Sequence, residues 1–362
     1  MKPVVSLKRS NNISIIKISN PPVNALSIKV RKGLLSALKK SELDSKTQAI
    51  IINGGGRTFP AGADINEFAL PAKPPHLSVI CEKIENCIKP VIVAMHGTPL
   101  GGGLEIALSG HFRIASSDTK LGLPEIHLGL IPGAGGTQRL PRLIGIKPAI
   151  DIISSGMPIN AAKAMKLNLV DKIVEDIEEG AVNFAQLILE KKKSYYKTKD
   201  LNGLILNNEE NQKSVSEQRN KISGNNRSIV AHHKIIDCVE STLNLPFKEG
   251  LRFETDTFSE LRESNQSKGM IHAFFAERKA HKIPEVGRAE PRTLQKIGII
   301  GGGTMGSGIT IAAMRAGLNV TMIERDLDNL EDGKQRVRKV FERDVEKGRL
   351  TENQRDYFLN LY

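Results

Sequence analysis

Tryptophan is absent from this chain of 362 residues, aromatic residues make up 4% of it, and there are three cysteines. The scarcity of aromatic side chains argues against a protein that stacks successive nucleic-acid bases, and no helix-turn-helix or finger motif is found. Cys81, Cys87 and Cys238 have neither the number nor the C-x-x-C spacing of a zinc site or a disulfide framework. We therefore expect a reducing compartment, no metal and no nucleic-acid partner.

Long apolar runs are also missing. No stretch approaches the ~20 consecutive apolar residues of a membrane span, and the first residues lack the basic and apolar segments of a signal peptide. The sequence therefore predicts neither a secreted nor an integral membrane protein. The composition, 40% apolar and 25% charged, is typical of a soluble globular chain of two domains. Its net charge of +12 suits an anionic partner: nucleic acid, anionic lipid or a phosphorylated small molecule.

Short β-rich segments alternate with amphipathic segments in the first part of the chain, which predicts an α/β fold. Strands are expected at 13–18, 48–53 and 90–96, and helices at 29–41 and 78–88.

The composition changes after residue 190. The stretch that follows is rich in Lys, Asn, Glu and Ser and is predicted to be solvated helix and loop surface rather than a basic binding arm. Helical periodicity returns over 250–280, and a polar stretch punctuated by proline then indicates a linker. We divide the chain into a core at 1–190, a helical extension at 191–280, a linker at 281–295 and a second α/β unit at 296–362.

The second unit begins with a glycine motif. The segment KIGII at 296–300 predicts a buried strand, and G-x-G-x-x-G spacing follows it directly, with a helix and a second strand behind. Gly301 and Gly303 permit a tight turn close to a pyrophosphate, and Gly306 lets helix and strand pack. Glu324, at the end of the second strand, is placed to accept a hydrogen bond from a ribose hydroxyl, which favours NAD over NADP.

The rest of the second unit is short. A helix is expected at 326–347, and Thr351 with Gln354 predicts a capping box that opens another helix. The residues from 296 onward suffice for two strand–helix units of a fold that needs about six strands. We therefore expect the chain to stop within an incomplete NAD-binding domain.

Three segments of the first domain carry candidate catalytic groups. Residues 61–65 form a turn of small residues, residues 101–103 are three glycines that open a helix carrying Glu105, and Glu125 precedes a glycine-rich turn that contains Gly133. A glycine turn at a helix start exposes backbone N–H groups, as an oxyanion requires. If the two glutamates converge they can do acid and base work; the alternative is that the glycines only make turns and the glutamates lie on the surface.

The segments FPAGADI, PLGGGLEIALSGHFRIAS and LGLPEIHLGLIPGAGGTQRLPRLIG closely resemble the crotonase (enoyl-CoA hydratase/isomerase) superfamily. SNQSKGMIHAFFAERKAHKIP followed by IGIIGGGTMGSGI resembles bifunctional fatty-acid oxidation enzymes, which fuse a hydratase to an L-3-hydroxyacyl-CoA dehydrogenase. The resemblance spans nearly the whole chain, in the family's order. It implies a crotonase-type ββα spiral domain with C-terminal helices, followed by part of a Rossmann unit, which is a doubly wound parallel sheet.

The resemblance also implies roles for individual residues. The amides of Ala63 and Gly102 would form an oxyanion hole for the thioester carbonyl. Glu105 would deprotonate the water that attacks C3, and Glu125 would deliver a proton to C2. Gly133 would line the acyl pocket.

The turn that contains Ala61, Asp64 and Ile65 would bind the adenine end of coenzyme A through its backbone, since CoA is part of the substrate. The same site would be able to shift a 3-enoyl double bond to the 2-position. The longer enzyme would oxidise 3-hydroxyacyl-CoA with NAD, whereas this chain is expected to hold only part of that site and no dehydrogenase activity.

The family resemblance is compatible with a homo-oligomer or a thiolase partner. We expect a bacterial cytoplasmic location, with the peroxisome as the alternative. A non-catalytic or unstable CoA- and NAD-binding fragment is the competing function.

Overall fold

The computed structural model describes residues 3–67, 73–223, 229–280, 286–287, 290 and 292–362. The chain divides into two compact units, residues 1–281 and 282–362, which are considered one at a time. Within the described ranges, no helix is long and apolar enough to cross a membrane.

Among its described residues, the first unit contains eight strands and eleven helices. The strands are β1 (Val5–Ser10), β2 (Ile13–Ile18), β3 (Ala49–Gly54), β4 (Val91–Met95), β5 (Phe112–Ser116), β6 (Lys120–Leu121), β7 (Ile159–Asn160) and β8 (Lys172–Val174). The helices are α1 (Ile28–Leu43), α2 (Leu77–Glu85), α3 (Gly102–Ser109), α4 (Gly136–Ile144), α5 (Ile146–Ser155), α6 (Ala161–Lys166), α7 (Ile177–Glu190), α8 (Glu209–Ser223), α9 (Val230–Asn244), α10 (Phe247–Glu263) and α11 (Asn265–Ala280). Short 3-10 turns lie at Ile65–Glu67, Glu125–Leu128 and Thr198–Asp200.

A six-stranded sheet in the order β1-β2-β3-β4-β5-β8 forms the centre of this unit. β1 pairs with β2 antiparallel, and the other neighbours are parallel. Strands β3, β4 and β5 are buried along their whole length, because parallel strands read as continuous apolar runs when both faces of the sheet are covered. One face packs on the large core that includes α1 to α5 and α9, and the other packs on Phe184 and Ile188 of α7.

The predicted α/β class and the predicted strands are confirmed. The helix expected at 78–88 ends earlier, at Glu85. Asn86 caps it by donating its N–H to the carbonyls of Glu82 and Ile84, and the chain then turns toward Pro90, whose ring disfavours helix in the residue before it.

The lysine-rich stretch after residue 190 is largely exposed, as predicted for a solvated surface, and it contains α8. It is not only surface, however. Val215 is buried in the main core, and Gln218 donates a 2.7 Å hydrogen bond to Asp151 of α5. This part of the chain therefore belongs to the packing of the first unit.

The last helices of the unit return to the glycine-rich segments. α10 packs against α4 and α9, and α11 packs against the 3-10 turn at Glu125–Leu128. There the Ser267 hydroxyl donates a 2.9 Å hydrogen bond to the carbonyl of Leu128. Because of these contacts, α10 and α11 lie against the glycine-rich segments although they are distant from them in sequence.

The second unit contains two parallel strands and three helices among its described residues, around a core of Met314, Val337 and Phe341. Its elements are β9 (Lys296–Ile300), α12 (Thr304–Arg315), β10 (Asn319–Ile323), α13 (Leu327–Glu346) and α14 (Glu352–Leu359). The predicted strand–helix–strand order is confirmed, and so is the capping box of Thr351 and Gln354. The prediction that the strand at 296–300 is buried is wrong: β9 is exposed or half-buried along its length, with Ile300 87% exposed, because among the described residues only β10 pairs with it. Of the predicted linker, residues 281–285, 288–289 and 291 lie outside the described residues.

Candidate active site

A cavity of about 540 Å³ lies in the first unit. Its wall is made from the turn at 61–65, the start of α3, the Glu125 turn and one face of α10. The structure thus brings together sequence segments that lie between residues 61 and 262. All eight residues predicted for this site line the cavity: Ala61, Ala63, Asp64, Ile65, Gly102, Glu105, Glu125 and Gly133.

Glycines allow the small-residue turn to lie directly against the start of α3. A Cβ added to Gly103 would lie 1.8 Å from the carbonyl oxygen of Pro60, so only glycine fits there. Gly101 has φ of +51°, which aims the chain into the helix. Among the described residues, the amide N–H groups of Ala63 and Gly102 donate to no hydrogen-bond acceptor. Two N–H donors therefore lie at the wall of the cavity, available to an oxygen of a ligand.

Glu105 lies in the first turn of α3 and is 3% exposed. Its Oε1 accepts hydrogen bonds from the amides of Ala134 at 2.6 Å and Gly136 at 2.9 Å. Burial raises the pKa of Glu105, while the two amides and the charge of Arg139 oppose this rise. The amides orient the carboxyl group and stabilise its ionised form.

Glu125 begins the 3-10 turn that follows Pro124. Gly101 donates its amide to the carbonyl of Gly122 at 2.9 Å, which holds the segment before Glu125 beside the start of α3. The Oε2 atom of Glu125 is buried and has no hydrogen-bond partner among the described residues. Burial and the charge of Glu105 together hold the pKa of Glu125 well above its usual value. A buried carboxyl with an unused oxygen is suited to carry a proton to a ligand.

Sequence reasoning missed a third buried carboxyl, Glu254 of α10, which is fully buried. Burial and the charge of Glu105 raise its pKa to about 8. A signal was present in the sequence, because Glu254 shares a helical face with Gly250, Thr257 and Leu261, all of them buried. A glutamate within the buried stripe of an amphipathic helix needs a polar partner.

Sequence reasoning also missed a group of basic side chains at the cavity. Arg31, Lys73, His76 and Arg262 line it together with the predicted residues. Arg31 is fixed by hydrogen bonds to the Pro75 carbonyl at 2.8 Å and to the Glu67 carboxylate at 2.9 Å. Lys73 and Arg262 bring positive charge to this wall, which attracts anionic ligands, whereas the charge of Arg31 is offset by Glu67.

Gly133 lies opposite α10. A Cβ added to it would lie 2.7 Å from the ring of Phe258, so the missing side chain sets the width of this part of the cavity. Asp64 accepts hydrogen bonds from the amide of Asn66 at 3.1 Å and from its side chain at 2.9 Å, which holds the turn in shape.

In the second unit, the glycine turn connects β9 to α12. A Cβ on Gly306 would lie 1.7 Å from the carbonyl of Gly301, whereas Gly301 and Gly303 are open to approach. Glu324 follows β10, and its carboxylate accepts the amide of Gly302 at 2.6 Å. The arrangement fits a dinucleotide, because Gly301 and Gly303 leave the turn open to approach and an acidic group lies at the neighbouring strand end.

Comparison with known proteins gives two family matches. The family described as enoyl-CoA hydratase/isomerase matches residues 8–222, and the NAD-binding domain of 3-hydroxyacyl-CoA dehydrogenase matches residues 296–361. These matches confirm the resemblance inferred from the motifs.

Curated relatives are similar to nearly all of this chain. A peroxisomal bifunctional enzyme of Danio rerio is 37% identical over 348 residues, which are 94% of this chain and 48% of that protein. A peroxisomal fatty acid beta-oxidation multifunctional protein of Arabidopsis thaliana is 34% identical over 98% of this chain and 51% of its own length. The chain therefore spans about half the length of these curated relatives.

Among solved structures, a carnitinyl-CoA hydratase from Mycobacterium avium matches with a TM-score of 0.56 and 25% identity. The match covers 76% of this chain and 97% of that one. The fold predicted from the resemblance is thereby confirmed for the first unit.

Proposed function

This chain belongs to the enoyl-CoA hydratase/isomerase family, and on that premise we propose that its first unit adds water to trans-2-enoyl-CoA thioesters to give 3-hydroxyacyl-CoA. The observation that carries the proposal is the meeting of two buried glutamates and two unpartnered amides at one cavity. An unstable or non-catalytic fragment is not favoured, because these groups are all present and mutually placed.

The amides of Ala63 and Gly102 bind the thioester oxygen. Attack of water on C3 moves negative charge from the double bond onto this oxygen, and preorganised donors stabilise that charge more than they stabilise the substrate. The loss of a single donor of this kind typically costs about 3–4 kcal/mol of transition-state stabilisation.

Glu105 acts as the base and Glu125 as the acid. Glu105 is held as a carboxylate by two amides, whereas the carboxyl of Glu125 has a free oxygen and the higher proton affinity. The water oxygen bonds to C3 and gives its proton to Glu105, and Glu125 gives its proton to C2. The reaction therefore ends with the two glutamates having exchanged their protonation states. The same pair would move a 3-enoyl double bond to the 2-position.

Coenzyme A enters with its phosphates toward Arg31, Lys73, His76 and Arg262. The predicted adenine contact with the backbone of residues 61–65 is supported by the position of that turn at the same cavity. Of the anionic partners that the net charge of +12 suits, a phosphorylated small molecule is then the one we propose, and the charge helps to capture it.

The second unit would hold the adenosine part of NAD. Gly301, Gly303 and Gly306 would let the pyrophosphate approach the start of α12, and Glu324 would accept from the ribose. NAD would accept hydride in the oxidation of 3-hydroxyacyl-CoA, the reaction named by the family whose NAD-binding domain matches residues 296–361.

We place the protein in the peroxisome, because relatives from animals and plants are named as peroxisomal or glyoxysomal enzymes. The expected cytoplasmic location finds no support in these comparisons. A homo-oligomer or a thiolase partner remains a prediction.

The test is loss of the ultraviolet absorbance of a 2-enoyl-CoA on addition of the protein. Glu105→Gln and Glu125→Gln should each lower kcat by roughly 10²–10⁴-fold with little change in substrate binding. Glu175→Gln, which replaces an exposed glutamate of the same unit, is the matched control and should leave the rate unchanged. Wild-type rates in Glu105→Gln would refute the assignment.

A further inference from the structure

The carboxyl group of Glu254 has a specific set of donors. Its Oε1 accepts the amide of Gly135 at 2.6 Å, and its Oε2 accepts both the amide of Thr137 at 2.8 Å and the Thr137 hydroxyl at 2.6 Å. The bonds join residues 117 and 119 positions apart in the chain. The side chain thus reaches from α10 to the turn that opens α4.

This turn is the same one that holds Glu105. Its four successive amides are donated alternately: those of Ala134 and Gly136 to Glu105, and those of Gly135 and Thr137 to Glu254. The two carboxyl groups therefore hold one helix start between them, where the helix dipole also favours negative charge.

The turn depends on an unusual backbone at Gly135, whose φ is +105°. A Cβ there would lie 1.9 Å from the guanidinium of Arg139. The peptide groups on both sides of Gly135 must keep their directions for the amides to alternate, and the Glu254 carboxyl fixes one of them. Without the Glu254 carboxyl, the turn that presents the amides of Ala134 and Gly136 to Glu105 loses the hydrogen bonds that fix it.

Glu254 also interacts electrostatically with the glutamate pair. The charged and titratable groups that face it are Glu105 of α3, Glu125 of the 3-10 turn, Arg139 of α4 and Cys238 of α9. The carboxyl of Glu254 is therefore both an acceptor for the amides that open α4 and a titratable group that interacts with the glutamate pair.

Building on the proposed hydratase function, we propose that Glu254 is a positioning residue of the active site: through the turn at residues 134–137 it keeps the Glu105 carboxyl in its working orientation, and its own carboxyl acts electrostatically on the glutamate pair. Glu254 does not line the cavity and takes no proton from the substrate.

A direction for the pH dependence follows. Because the pKa of Glu254 is about 8, this group gains its charge on the alkaline side of neutrality. That charge opposes ionisation of Glu125 and so extends activity toward higher pH. On the acidic side Glu254 is already neutral, so removing its charge leaves the acidic limb of the pH profile in place.

The experiment compares pH profiles of kcat and kcat/KM for the full chain with a 2-enoyl-CoA substrate. Glu254→Gln keeps the size of the side chain but removes the charge and presents an N–H₂ group to one of the donors. We expect kcat to fall roughly ten- to a hundredfold. We expect the alkaline limb to move to lower pH by ~0.5–1 unit while the acidic limb stays in place.

A second pair of variants guards against misfolding of Glu254→Gln. Thr137→Val removes only the hydroxyl that donates to Glu254, and Thr137→Ser restores it. Thr137→Val should move the alkaline limb in the same direction by a smaller amount, and Thr137→Ser should recover the wild-type limb.

The outcomes are distinct. An inactive, folded wild-type chain contradicts the proposed function itself. An active wild type with unchanged profiles in Glu254→Gln and Thr137→Val overturns the role of Glu254. A uniform loss of activity with the wild-type pH profile would give Glu254 a purely structural role and would also overturn it.

Discussion

Replacing Gly103 with alanine tests the geometry of the oxyanion hole. The added Cβ would lie 1.8 Å from the carbonyl oxygen of Pro60, and real Cβ contacts essentially never fall under 3.0 Å. The turn or the helix start must therefore move by roughly 1.2 Å, since the neighbouring atom is backbone and cannot rotate away. Pro60 lies three residues before Ala63, and Gly103 directly follows Gly102, so this movement separates the two donor amides.

A misplacement of about 1 Å near reacting groups costs on the order of 10²-fold in rate, which corresponds to about 2.7 kcal/mol of transition-state stabilisation. We expect this loss mainly in kcat, because the donors act on charge that develops only in the transition state. Overpacking should also lower the free energy of unfolding by ~1–3 kcal/mol.

The assay is the steady-state hydration of a short 2-enoyl-CoA, with chemical unfolding measured in parallel. Gly203→Ala is the matched control, because an added Cβ there meets no atom within 4 Å. If Gly103→Ala keeps kcat within about threefold of wild type while remaining folded, the two amides do not act as the oxyanion hole.

Three further outcomes are expected. Gly133→Ala, which would bring a Cβ to 2.7 Å from the Phe258 ring, should raise KM for long-chain enoyl-CoA more than for a four-carbon substrate; equal effects on both would contradict an acyl-pocket position. Glu85 and Arg139 form a buried ion pair with two hydrogen bonds, at 3.0 and 3.1 Å. Glu85→Gln breaks this pair and should lower the free energy of unfolding by roughly 3–5 kcal/mol in urea titrations. A loss under about 1 kcal/mol would show that the pair is not effectively buried. The thermal midpoint of unfolding should decrease as the pH is raised from 6.5 to 8. The folded-state pKa of Glu254 is raised to about 8, so the folded chain holds more protons than the unfolded chain over this range and loses stability as the pH rises. His111, whose pKa is lowered to about 4, affects stability only below the usual pKa of histidine, and a midpoint that increases from pH 6.5 to 8 would contradict the burial of the carboxyl cluster.

The sequence predicted much of the site, but unevenly. Glu105 and Glu125 were identified because they stand beside glycine turns in segments that resemble a family, and no periodicity argument alone would have brought them to one cavity. The strands were predictable since β3 and β4 are continuous apolar runs bounded by polar turns. The end of α2 was less predictable than the strands, because the apolar spacing continues to Ile88 whereas capping at Asn86 ends the helix.

Glu254 was not predictable in the same way. Glutamate is common on exposed helix faces, and its partners are amides more than a hundred residues earlier, whose directions depend on the positive φ of Gly135. The basic side chains at the cavity raise the same difficulty. Arg31 is one of 52 basic residues, and only its contacts with Glu67 and Pro75 distinguish it from the solvated ones.

The most direct measurement of the central claim is hydration of a trans-2-enoyl-CoA in water labelled with heavy oxygen, followed by mass analysis of the product. The account predicts loss of the conjugated thioester absorbance and one labelled oxygen at C3 for the wild type. It predicts neither change for the double variant Glu105→Gln, Glu125→Gln. A folded wild-type chain that forms no labelled 3-hydroxyacyl-CoA, or a double variant that forms it at the wild-type rate, would contradict the account.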